Sequence, residues 1–144
     1  MHNIGEGTLA IPEDWHNSTV NIYTAQPPGA PGISVTVNRD RLPLGTTVDD
    51  YCASQTAKLA QQLKNYRLVR EEKKISIDGK PGAFLEFTWK SDEAGDVHQM
   101  LLTVADGQAV LNFAGTAAGA MSDIQKSEMI KMLLSFKFTP AATA

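Results

Sequence analysis

Only one cysteine, Cys52, stands in the 144 residues of the chain. A single thiol excludes an internal disulfide, and with it the stapled framework of small secreted domains. Long apolar runs are missing too: none approaches the ~20 residues that a membrane-spanning helix needs. Charge bias is slight, with a formal net charge of −3 from 13 basic and 16 acidic residues. That balance argues against nucleic acid, whose phosphates demand a basic patch. The basic residues are scattered, and "REEKK" at 70–74 is offset by its own acids. The opening "MHNIGEG" has neither a basic stretch nor an apolar one, so it does not read as a signal peptide. A soluble, cytoplasmic protein is the expectation.

Catalytic patterns are also wanting. His2, His16 and His98 are far apart, none lies at a metal-ligand spacing, and Cys52 has no partner thiol. No G-x-S-x-G or comparable nucleophile motif occurs. The stretch "FAGTAAGAMSD" at 113–123 reads as strand, glycine loop and helix start, a geometry that can hold anions. It lacks the G-K-[ST] ending of a phosphate loop, so Gly115 and Gly119 are expected to serve a tight strand-to-helix connection. Asp14, Trp15 and His16 read as a turn beside a core tryptophan. Cys52 reads as a small core residue. The expectation is a protein without catalytic residues, metal or cofactor.

What remains is ordinary globular composition, 42% hydrophobic and 20% charged. It suits one domain with a real core, over 1–139, and a loose tail at 140–144. A short strand is expected at 7–11, stopped by Pro12, which has no N–H to give a ladder. Strands at 20–25 and 33–38 flank the proline- and glycine-rich loop "QPPGAPG". A helix over 47–66 follows, capped by Thr46 or Thr47 with Asp50 in its first turn. Its stripe is Val48, Cys52, Gln55, Leu59 and Leu63. Strands at 68–77, 83–90, 97–105 and 108–114 are joined by turns at Asp78-Gly79, "KSDEAGD" and Asp106-Gly107, which makes an antiparallel meander. A last helix opens at Ser122, with Gln125 completing a capping box and Ile124, Met129, Ile130, Leu133 and Leu134 as its buried stripe. "FKF" at 136–138 reads as extended. The order defines an α+β fold, a mainly antiparallel sheet with flanking helices.

A two-residue turn at Asp106-Gly107 would pair Ala105 with Gln108 and sort the hairpin into two faces. Val104, Ala109, Leu102, Leu111, Met100 and Phe113 form a core face. Thr103, Val110, Leu101, Asn112, Gln99 and Ala114 form the other, where apolar and uncharged polar groups mix and no charge appears. Such a face is either the shielded side of an antiparallel sheet or a docking surface for something apolar.

The segment "EGTLAIPEDWHNSTVNIY" resembles the entry of the DcrB-like group: a short strand ending in Pro, a few residues, a Trp, then a second strand. Within that group the chain looks most like the Eag chaperones of bacterial type VI secretion. The likeness continues through "SVTVNRDRLPLGTTVDDY", "ASQTAKLAQQL", "IDGKPGAFLEF" and "SEMIKMLLSFKF". It implies a fold related to the photosystem protein PsbP, a twisted antiparallel sheet with flanking helices, and no enzyme activity. It implies a homodimeric cytoplasmic chaperone that holds the apolar N-terminal transmembrane helices of a secreted effector and helps load it on the secretion spike.

The uncharged face suits such a client, because small-xxx-small helices expose carbonyls that polar side chains can approach. The candidate client-binding residues, chosen from the pattern of this sequence, are Ile22, Thr24, Gln55, Leu59, Leu63, Gln99 and Leu101. Two rival classes stay open: a module for a small apolar ligand, and an adaptor that binds a folded partner through a charged rim.

Overall fold

The computed structural model describes residues 1–27 and 32–140; most of the "QPPGAPG" loop and nearly all of the expected tail lie outside them. Two very short strands, β1 (His2–Asn3) and β2 (Thr8–Leu9), pair only with each other. The strand expected at 7–11 is therefore two residues long and stands apart from the main sheet. Trp15, expected in the core, is 66% exposed.

The main sheet is built from β3 (Asn21–Thr24), β4 (Ile33–Arg41), β5 (Arg67–Ile77), β6 (Lys80–Ser91), β7 (Gly95–Asp106) and β8 (Ala109–Ala118). Their spatial order is β3-β4-β8-β7-β6-β5, and every pairing is antiparallel. With the helices α1 (Val48–Gln62) and α2 (Asp123–Leu134), this is the expected α+β architecture.

Local chemistry sets the ends. Thr47 caps α1, its hydroxyl accepting from the Asp50 amide at 3.1 Å, and Asp49 and Asp50 sit at the positive end of the helix. The helix stops at Gln62 rather than reaching 66, because Leu63 turns extended and Asn65 takes a left-handed φ of 55°. Ser122 and Gln125 form the complete capping box of α2. Asp78-Gly79 is the turn between β5 and β6, with both residues at positive φ, as a right-twisted hairpin requires.

The β7–β8 hairpin departs from expectation in an instructive way. Its turn is Gly107-Gln108, not Asp106-Gly107, so Asp106 pairs with Ala109 and Leu102 with Phe113. The slip is two residues. Because the side-chain period of a strand is also two, both faces keep their members while every partner changes.

One face is sealed. Met100, Leu102, Val104, Phe113 and Phe84 are buried there beneath Met129 and Leu133 of α2. Gly115 lies within β8 rather than in a connecting loop, and a Cβ built on it would collide with the Met129 side chain. Its missing side chain lets α2 approach the sheet. Ile124 and Leu134, expected in the buried stripe, face solvent instead. Phe136 and Phe138 form no strand, but their rings pack at 4.8 Å on each other, and Phe136 lies equally close to Phe113.

At one end of this sealed face the packing is polar. Glu86 and His98 are buried, with His98 Nε2 2.7 Å and Lys126 Nζ 3.1 Å from Glu86 Oε2. The Met121 amide donates to His98 Nδ1, which therefore carries no proton, and Nε2–H donates to Glu86. Burial raises the Glu86 carboxyl, but the bonds from His98 and Lys126 outweigh it and hold the group below its usual range. His98 thus clamps the entry to α2 to the sheet.

Candidate functional site

The candidate site lies on the second face of the sheet. Register places its side chains in cross-strand rows running from β3 to β6. One row is Ile22, Thr36, Ala114, Leu101 and Leu85; the next is Thr24, Ser34, Thr116, Gln99 and Phe87. A third is Asn38, Asn112, Thr103 and Ala83. None of these side chains is charged. Four of the seven expected client-binding residues, Ile22, Thr24, Gln99 and Leu101, thus share two neighbouring rows.

Helix α1 covers part of this face. Tyr51 packs with Ala105 and Val110, and Leu42, Val48 and Cys52 close around them. Thr103 and Val110, expected on the free face, are therefore buried. A polar chain ties the helix down: Thr103 Oγ1 donates to Asn112 Oδ1 at 2.8 Å, and Asn112 Nδ2 donates to the Tyr51 hydroxyl at 2.9 Å. That hydroxyl donates to Asp40 Oδ2 at 2.7 Å. Burial and the Asp40 carboxylate push the Tyr51 phenol up to about 12, against the opposing bond from Asn112. Burial likewise raises the Cys52 thiol, which keeps it from being a ready nucleophile.

Beside α1, toward β5–β7, lies a groove of about 710 Å³. Gln55 and the small residues Ala53, Ala57 and Ala60 line its helix side, and Leu85 and Leu101 its floor. Gln55 and Leu101 are thus brought together. Leu59 and Leu63 are half-buried on the same helix stripe but do not line the groove. Glu71 and Lys73, an ion pair at 3.1 Å, add charge to the lining, as do Asp49 and Asp50. Ile22 is 65% exposed, beyond the helix on the open part of the face.

Gln99 is held within the protein itself. Its carbonyl accepts from Trp89 Nε1 at 2.6 Å and its amide donates to Thr116 Oγ1 at 2.9 Å. One N–H and one lone pair remain to offer. Sequence reasoning missed Trp89, Tyr51 and Asp40, whose partners come from other elements. Among the described residues no group of three or more His, Cys, Asp or Glu is placed to hold a metal, and no helix is long and apolar enough to cross a membrane.

The candidate site is thus a preorganised sheet surface, half roofed by a helix, whose three cross-strand rows are uncharged while Asp40 and the groove residues Glu71, Lys73, Asp49 and Asp50 supply charge beside them. The chain belongs to the DcrB family, whose model matches residues 6–135. No curated protein matches it significantly. Among solved structures it resembles PA94, a protein of unknown function from Pseudomonas aeruginosa, with a TM-score of 0.78 at 22% identity over 97% of this chain and 96% of that one. PsbP of the cyanobacterium Synechocystis also matches, with a TM-score of 0.47 at 14% identity over 90% and 95%.

Proposed function

We propose that the protein is a homodimeric cytoplasmic chaperone that shields the apolar N-terminal transmembrane helices of a type VI secretion effector and helps load it on the secretion spike. The observation that carries this reading is the set of uncharged rows on the second face, with Leu101 in the floor of the groove and Ile22 exposed at the opposite end of its row. An apolar helix laid along the rows buries area on Ile22 and Leu101. Thr24, Thr36 and the free amide proton of Gln99 offer directional bonds to its backbone. The alanines at 53, 57 and 60 allow close approach of a client helix to α1.

Co-expression with an effector fragment bearing its apolar N-terminal segments tests the reading. The chaperone is expected to keep the fragment soluble and to elute with it; a fragment that precipitates beside folded chaperone contradicts it. The groove volume also suits a small apolar ligand. Native mass spectrometry of the purified protein distinguishes that case by a bound small mass that excludes the fragment.

A further inference from the structure

The two edges of the main sheet are built differently. β5 is guarded: its residues include Arg67, Arg70, Glu71, Glu72, Lys73 and Lys74, and two register shifts break its ladder. Charges and bulges of this kind keep an edge from pairing with another chain. β3, at the opposite edge, has neither. Its sequence Asn-Ile-Tyr-Thr is uncharged, its register with β4 is unbroken, and Ile22 and Tyr23 are 65% and 61% exposed on opposite faces. Val20 extends the apolar surface just before it. The strand is also held in place: Arg39 Nη1 donates to the Thr19 carbonyl at 3.1 Å and to Asn21 Oδ1 at 2.7 Å. A short edge strand with no charged side chain of its own and no bulge, anchored by Arg39, is poised to accept a strand at little ordering cost.

We propose that β3 pairs with the same strand of a second copy, antiparallel, about a two-fold axis perpendicular to the sheet near Tyr23. The occupant follows from closure. Among the described residues each chain has one open edge, so a two-fold pairing consumes both and leaves only the guarded β5 edges at the ends of a twelve-stranded sheet. An uncharged strand also meets its own copy without like-charge repulsion. A two-fold centred on Tyr23 sets Ile22 opposite the partner's Thr24, with both second faces on one side of the sheet. The rows containing Ile22 and Thr24 then meet at the centre of one continuous uncharged surface, which neither copy supplies alone. The inference rests on the homodimer of the proposed function but not on the nature of the client.

Sedimentation and cysteine cross-linking of the full chain test it. The wild type is expected to sediment as a dimer. Tyr23→Lys, a change at an exposed position, is expected to stay folded by circular dichroism and to weaken dimerisation roughly tenfold or more. In a Cys52→Ala background, Tyr23→Cys is expected to form an intermolecular disulfide under mild oxidation, while Val69→Cys on the β5 edge does not. A monomeric wild type overturns both the edge and the homodimer. A dimer that survives Tyr23→Lys and fails to cross-link at position 23 overturns the edge alone, and leaves the client test above untouched.

Discussion

The two faces of the sheet are made from the same strands, yet one is finished and the other is not. On the sealed face α2, Phe136 and Phe138 cover Met100, Leu102 and Phe113. On the second face α1 covers Ala105 and Val110 and stops short of Ile22. Leu101 and Leu102 are neighbours in sequence, but Leu102 is fully buried while Leu101 is only half so. The sealed face spends its apolar residues on stability. The second face leaves some of them uncovered while its polar groups are locked into place.

The largest effect should come from a charge on the sealed face. Leu102→Asp is expected to cost about 4 kcal/mol or more, enough to unfold many domains, whereas Leu101→Asp should cost about 1 kcal/mol. Urea unfolding of both variants separates the faces; equal losses would make the second face a core.

A buried clamp comes next. His98→Ala deprives Glu86 of a donor and leaves the Met121 amide without its acceptor. A loss of about 2–3 kcal/mol is expected, with client retention unchanged in the folded variant. Loss of binding without loss of stability would place His98 in the site instead. The same cluster sets an acid limit. Because the folded Glu86 titrates below its unfolded value, its contribution is complete above about pH 4.5 and disappears as the pH falls through the lower folded value. Glu86→Gln should flatten that acid slope in pH-dependent melts.

On the second face, Tyr51→Phe removes the link between Asn112 and Asp40 and should cost about 1–2 kcal/mol. Tyr51 also sets an alkaline limit of opposite sign. The folded phenol holds its proton up to about pH 12, while the unfolded one ionises near 10. Stability should therefore fall between these values, by an amount on the order of 2 kcal/mol that Tyr51→Phe removes.

Much of this contrast is legible in the sequence, because alternation along a strand is local. Residues 99–104 sort correctly onto two faces although the turn is displaced by one residue, and hence every cross-strand partner by two. What is illegible is which part of the second face a helix will roof. That depends on Tyr51 meeting Asn112, 61 positions away, and on Asp40 accepting from it. Gly115 misleads for the same reason: as a loop glycine it means a turn, but here it is a strand glycine that makes room for Met129. The exposure of Trp15 and Ile124 shows that residue type alone does not place a side chain. Of the expected site, the sheet residues Ile22, Thr24, Gln99 and Leu101 follow from strand parity, and Gln55 from the helix stripe. Leu59 and Leu63 share that stripe yet lie outside the groove, because a helix period does not say which flank of the helix stays open.

The most direct measurement is retention of an apolar effector segment by Leu101→Asp, read beside its melting temperature. An aspartate there reaches water in the free protein and would face apolar helix in the proposed complex, so the variant should melt within a few degrees of the wild type and lose the segment. A variant that melts normally and still holds the segment would contradict the assignment of the second face as the binding surface.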